Sequence, residues 1–407
     1  MSSSSGTVVG GDDHKRRTEN RKAKQGTMIK PQTELQISGG VNVHAIEGEL
    51  RHLWEQMAET SRAGGQQPVM RVCVLNLVVY TPGQHAAGEV SQIMAEVTTQ
   101  HPSRIFVIHP TSGTSESPLG AWVTAVCHLS ADGHKQVCSE QIMITAQEDA
   151  VDRLPSLVRS LLVPDLPVVL WWHDMPNFES RLFAELAEAS DRVIIDSAMV
   201  QDSEQGMAAL GALIKERQQW TAFIDLSWSR LTPWRVAVAG FFDTPDCRAY
   251  LGRLNRVEIE CTRRQDTHRS IPSQALLLAC WLGSRLRWHL ASKAQWSGDH
   301  SYQLELASEN CPIEIQIGTS GSAKGNPGEV GSVRLFAEGE RSARFVVARS
   351  EDDLYLQSDG EVAGTKLAAK AFPLGDRHEA QLISKELEIL DHDVMFEQAL
   401  AFFASIP

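Results

Sequence analysis

Three carboxylates stand at or just past the ends of apolar, strand-like runs: Asp174, Asp196 and Asp225. If the runs are parallel strands of one open sheet, their C-terminal ends share the edge where ligands bind in such sheets. With His173 as an acid/base, that edge could hydrolyse a sugar phosphate or nucleotide sugar through His173, Asp174 and Asp196. An aspartate at a strand-to-helix turn also serves as a helix N-cap. Both readings stand on the residues alone. The sequence has no G-x-S-x-G, no H-E-x-x-H and no G-x-G-x-x-G after its first strand, so nucleophile, zinc and dinucleotide motifs are missing.

A second set of residues suits recognition. Eight of the ten tryptophans fall between positions 171 and 296. Trp228 and Trp234 flank Arg230 and Arg235, and Trp and Arg are the types most enriched at binding hot spots. Trp228, Arg230, Trp234 and Arg235 are therefore candidate partner contacts, with Trp171 and Trp172 second. Because neighbouring residues of a strand point to opposite faces, Trp171 and Trp172 diverge.

The seven cysteines show no C-x-x-C and no zinc spacing, so the sequence offers no metal site. Two lie in the strand-like runs around Asp132-Gly133, a two-residue pair that signals a tight hairpin. With those two as the loop, Cys127 faces Cys138, at a cross-strand distance compatible with a disulfide. A switchable redox pair and two neighbouring thiols are both open.

The elements that must position these groups are legible as alternating strands and helices. Leu166–Leu170 is a continuous apolar run, as expected of a strand buried on both faces. Helical periodicity follows from Phe178, then a strand at Arg192–Ile195, a helix capped at Asp202 and a strand at Phe223–Leu226. Upstream, a helix from Val43, a strand over Arg71–Val79, a helix over Glu89–Val97 and a strand at Arg104–Ile108 give a second β-α-β unit. A helix with Thr232 as N-cap and Pro233 in its first turn leads to a change of character near residue 245. Beyond it come an apolar helix, Ser273–His289, short strands spaced like an antiparallel sheet, a Gly/Ser-rich hairpin loop over Gly318–Gly331, and one C-terminal helix. The expected fold is α/β: a Rossmann-like, doubly wound, mainly parallel sheet over 32–245, then an α+β domain over 246–407. Residues 1–31 read as a disordered tail with Met28 as an alternative start.

A net charge of -13 argues against a nucleic-acid partner. No apolar run approaches the roughly 18 residues of a membrane span, and the N-terminus lacks the apolar core of a secretory signal. A cytoplasmic location is expected.

Several segments together resemble the glucose-6-phosphate dehydrogenase assembly protein OpcA family: Leu166-Pro-Val-Val-Leu-Trp-Trp172, Arg192-Val-Ile-Ile-Asp-Ser197, Asp225-Leu-Ser-Trp-Ser-Arg-Leu-Thr-Pro-Trp-Arg235, Cys138-Ser-Glu-Gln-Ile142 and His101-Pro-Ser-Arg104. The match runs in order over roughly residues 70–290. It departs after the Trp pair, where His173 and Asp174 replace a basic residue and a glycine. The resemblance implies a cofactor-free, non-catalytic partner that assembles or activates glucose-6-phosphate dehydrogenase in the oxidative pentose phosphate pathway.

Overall fold

The computed structural model describes residues 34–36, 41–63, 68–111, 118–129, 135–199, 202–217, 221–264, 270–292, 295–298, 300–389 and 391–404. The N-terminal tail expected to be disordered, and the Asp132-Gly133 loop, lie outside them.

The first half alternates strand and helix: β1 (Glu34–Gln36), α1 (Val43–Ala63), β2 (Val69–Arg71), β3 (Leu75–Tyr80), α2 (Gln84–Val97), β4 (Ser103–Pro110), β5 (Leu119–Leu129), β6 (Gln136–Ala146), α3 (Leu154–Leu161), β7 (Val168–Trp172), α4 (Arg181–Glu188), β8 (Arg192–Ile195), α5 (Ser203–Arg217) and β9 (Ala222–Asp225). The strands form one sheet in the order β1-β5-β6-β4-β3-β7-β8-β9, with β2 paired to β6. All pairs from β6 to β9 are parallel, and β1 and β5 add antiparallel neighbours at one side. This is the doubly wound arrangement expected. The chain winds outward from β3 to β4 and β6, then from β7 to β8 and β9, so the order reverses between β3 and β7.

The single strand expected over Arg71–Val79 is two pieces. β2 pairs with β6, while β3 pairs with β4 and β7. One continuous strand could not serve two places in the sheet, and the turn around Cys73 separates them. The backbone N–H of Arg104 donates to the Cys73 sulfur there.

Three short helices, α6 (Leu226–Arg230), α7 (Thr232–Ala239) and α8 (Pro245–Arg248), lead to the second half. Thr232 is not the N-cap expected. Leu231 keeps a helical backbone and makes no side-chain cap, so the chain turns from α6 into α7 and Thr232 Oγ1 instead accepts from Arg235.

The second half comprises β10 (Arg256–Thr262), α9 (Ser273–Leu286), β11 (His289–Leu290), β12 (Gln295–Trp296), β13 (Ser301–Ala307), β14 (Pro312–Ser320), β15 (Val330–Ala337), β16 (Ala343–Arg349), β17 (Tyr355–Val362), β18 (Thr365–Lys366), β19 (Lys370–Pro373), α10 (Glu379–Leu387) and α11 (Val394–Phe403). Its sheet runs β11-β13-β14-β10-β15-β16-β17-β18, with β12 beside β13 and β19 beside β17. It is mixed, not purely antiparallel: β10 inserts between β14 and β15 and runs parallel to β14. For that reason the Gly-rich segment after β14 is no hairpin loop. It carries the chain past β10 to reach β15. The C-terminal helix is likewise two helices, because Asp393 caps α11 by accepting from the Phe396 N–H.

Alternation in β10 sends Val257, Ile259 and Cys261 into the core. Helix α9, buried over Ser273–Gly283, packs on that side and against α11.

Candidate functional site

The sequence segments behind the family resemblance fold into buried polar hubs. Arg104 donates to Glu140 at 2.8 Å, and its guanidinium also reaches Glu47 and the Leu161 carbonyl. The Trp54 indole and Arg71 meet the same Glu140. Burial works against the Arg104 charge, but Glu140 and Glu47 outweigh it and raise its pKa. A buried charge is tolerated when it is paired and hydrogen-bonded in this way.

The strand edge does bring the expected residues together. At the reversal between β3 and β7, where a doubly wound sheet opens its ligand crevice, Tyr80 stacks on Trp172 with ring centroids 3.8 Å apart. Trp172 also meets Phe183 of α4 edge-on, whereas Trp171 points to the other face, edge-on to His173. The His173 ring lies 3.3 Å from Thr81 Oγ1 and 3.9 Å from a Glu379 carboxylate oxygen. Glu379 opens α10, which packs against α2, the helix after β3. The turn into α2 is Thr81-Pro82-Gly83, with Gly83 at φ 84°, a conformation that suits glycine. A side-chain stack and a helix from the far end of the chain thus sit at the crevice.

Next along the edge, Asp196 pairs with Arg230 at 2.8 Å and accepts from the Ser227 hydroxyl and the Ala198 N–H. Arg230 is held protonated by Asp196 against the cost of burial. Asp225 is fully buried and accepts from the N–H groups of Ser197 and Ser227, capping α6. Burial, and then the nearby Asp196 charge, pushes its carboxyl up to about 6. Burial also raises Glu379, opposed by His173 and assisted by Asp196. Asp174 turns back on the Met175 N–H. An ion pair therefore occupies Asp196 and a helix cap Asp225, while Asp174 bonds its own neighbour, and the hydrolase reading of His173, Asp174 and Asp196 finds no support. A cavity of about 240 Å³ beside them is lined by Asp196, Arg230, Arg264, Arg377, Glu329 and Glu379, equal numbers of either charge.

The aromatic candidates lie inside the protein. Trp171, Trp172, Trp228 and Trp234, read from the sequence as candidate partner contacts, are all at most 4 % exposed. Large rings gain most by filling the core. The Trp228 N–H donates to Asp393 at 2.8 Å. Arg235 lies 3.6 Å over the Trp228 ring and donates to its carbonyl. Burial lowers the Arg235 pKa to about 10, so it remains a cation at neutral pH. Arg230 and Arg235 are thus engaged internally.

Sequence reasoning missed the C-terminal half of this edge. Glu379, Glu386 and Asp393 close on residues more than 150 positions earlier. A helical pattern shows which of its residues are polar, but no local signal says what they meet.

Cys127 and Cys138 face each other in the β5–β6 register and are joined as a disulfide, with Cα atoms 4.1 Å apart. Cys247, Cys261 and Cys280 are buried free thiols, and Cys73 and Cys311 are half-buried. Among the described residues, no group of three or more His, Cys, Asp and Glu is placed to hold a metal ion, and no helix is long and apolar enough to cross a membrane.

Residues 94–212 match the family described as glucose-6-phosphate dehydrogenase subunit N-terminal domain, and residues 221–400 match its C-terminal domain. The chain belongs to the OpcA family. Its OpcA relatives include proteins provisionally named OxPP cycle protein OpcA. That of Nostoc punctiforme is 26 % identical over 80 % of this chain and 70 % of its own length. That of Synechococcus elongatus is 28 % identical over 76 % and 68 %. Among solved structures, the WlbA dehydrogenase of Thermus thermophilus superposes with a TM-score of 0.41 at 9 % identity, covering 82 % of this chain and 94 % of that one. The myo-inositol dehydrogenase of Lactobacillus casei gives 0.41 at 8 %, covering 82 % and 93 %. Similarity that low carries no statement about activity.

Proposed function

We propose that this OpcA-family chain is a non-catalytic, cytoplasmic partner of glucose-6-phosphate dehydrogenase that promotes its active oligomer in the oxidative pentose phosphate pathway. The observation that carries this reading is the pair of family matches, which span most of the chain in order and are described as parts of a glucose-6-phosphate dehydrogenase subunit. The geometry supports it from another side. The crevice of the doubly wound sheet holds the Tyr80–Trp172 stack and the His173–Glu379 contact, and the strand-edge carboxylates serve as caps and ion pairs. In this reading the sheet is a scaffold divided near residue 245 from a second, α+β domain. The partner is a protein and not a nucleic acid, in keeping with the net charge of -13.

The test is a rate assay of the same organism's glucose-6-phosphate dehydrogenase with and without this chain, each protein also being assayed alone. A several-fold rise in rate or fall in KM only in the mixture is the expected result. No change, under reducing and oxidising conditions alike, overturns the proposal.

A further inference from the structure

The second sheet has one covered face and one open face. Along β10 the side chains alternate between the core and the other side, where Arg256, Glu258, Glu260 and Thr262 are half-buried and no described helix packs. The register lays the open face out in rows. One row runs Gln303, Gln316, Glu258, Arg334, Val346, Asp359 across β13, β14, β10, β15, β16 and β17. A parallel row runs Glu305, Glu314, Arg256, Phe336, Arg344, Glu361. Six strands about 4.8 Å apart, each about seven residues long, span roughly 29 by 23 Å. That is on the order of 650 Å², near the ~800 Å² each partner buries in a standard interface.

An antiparallel sheet can simply leave one face to water. Two features of this face point to a partner instead. It carries apolar anchors in line with its charges: Val346 sits between Arg334 and Asp359, and Phe336 lies under Arg256, whose guanidinium is 3.8 Å from the ring centroid. It also holds a pit of about 300 Å³ whose walls include Glu258, Glu260, Gln316 and Arg334. Arg334 is 3.5 Å from Glu258 and 3.6 Å from Glu260, and Arg256 also pairs with Glu258. On β13, β14 and β10, Glu305, Glu314, Glu258 and Glu260 face only Arg256 as a cation, with Arg334 on the adjoining strand. The surplus is negative, and a recess with surplus carboxylates is complementary to a guanidinium or ammonium group.

The geometry points to this open face as the docking surface for glucose-6-phosphate dehydrogenase, with a basic side chain of the enzyme entering the pit beside Glu258 and Glu260. The assignment rests on the function proposed above and names the surface that performs it. Apolar contacts around Val346 supply area, and the carboxylates set register and hasten encounter.

The experiment measures affinity between the purified full chain and the same organism's glucose-6-phosphate dehydrogenase, for the unmodified chain, Glu260→Lys and Val346→Arg. Both side chains are on the open face, so circular dichroism and thermal unfolding should match the unmodified chain. At least a tenfold loss of affinity for each variant is expected, and for Glu260→Lys a flatter salt dependence as well. Folded variants that bind like the unmodified chain overturn the surface while leaving the proposed function standing. If the unmodified chain itself does not bind, the function fails and the surface falls with it. Light scattering of the chain alone supplies the other outcome: a self-associated species that Glu260→Lys abolishes would give the face to a second copy and overturn the inference.

Discussion

Arg192 and Glu386, 194 positions apart in sequence, form an ion pair at 2.6 Å in which the arginine side chain is 2 % exposed and the glutamate 15 %. Arg192 opens β8, and its second terminal nitrogen donates to the Asp391 carbonyl at 2.7 Å. Glu386 also accepts from the Ser229 hydroxyl. One guanidinium thus ties the C-terminal helices to the end of the parallel sheet. Truncating one partner of such a pair leaves the other charge buried and costs about 3–5 kcal/mol. Arg192→Ala should show a loss of that order in urea unfolding. Arg192→Met with Glu386→Leu should lose much less, since an apolar pair strands no charge. Equal losses would remove the ion pair as the cause.

Asp225 gives a pH dependence with a defined sign. Its folded-state pKa is raised from 3.8 to about 6, so between those values the native state binds more protons than the unfolded chain. Stability from this group is present below the unfolded pKa and declines as pH rises through about 6. A rise of that size corresponds to roughly 3 kcal/mol. Asp225→Asn keeps an oxygen for the Ser197 and Ser227 N–H groups and removes the charge. Its unfolding free energy should therefore fall less than that of the unmodified chain between pH 4 and 7. Parallel curves for the two proteins would show that Asp225 does not titrate in this window.

The Cys127–Cys138 disulfide crosses a hairpin whose ends are already paired in register. Closing a loop of 11 residues restricts the unfolded chain by an amount worth about 2–3 kcal/mol. The double variant Cys127→Ala, Cys138→Ala should unfold at lower urea by that measure. The same loss should follow when a reductant is added to the unmodified chain, and the variant should be insensitive to it. A variant that still responds to reductant would place the sensitivity at another thiol.

Some of this molecule is decided locally and was legible in its sequence. The apolar runs Leu166–Leu170 and Arg192–Ile195 read as strands because burial on both faces leaves little room for polar residues. Taking the turn pair between the two strand-like runs as a two-residue loop gives Cys127 opposite Cys138, and β5 and β6 do pair in that register. The missing phosphate-binding and nucleophile motifs agreed with the family segments on one point, a doubly wound sheet that lacks both, and by themselves named no partner. The tertiary structure alone decided what the polar residues do. Asp196 and Asp225 look alike as ligands or caps until Arg230 and the Ser227 hydroxyl reach Asp196, and the Ser197 N–H reaches Asp225, from elsewhere in the chain. Trp228 reads as a contact residue until Asp393 and Arg235 enclose it. The insertion of β10 between β14 and β15 was equally invisible, because alternation tells a strand which face to bury and not which neighbour to choose.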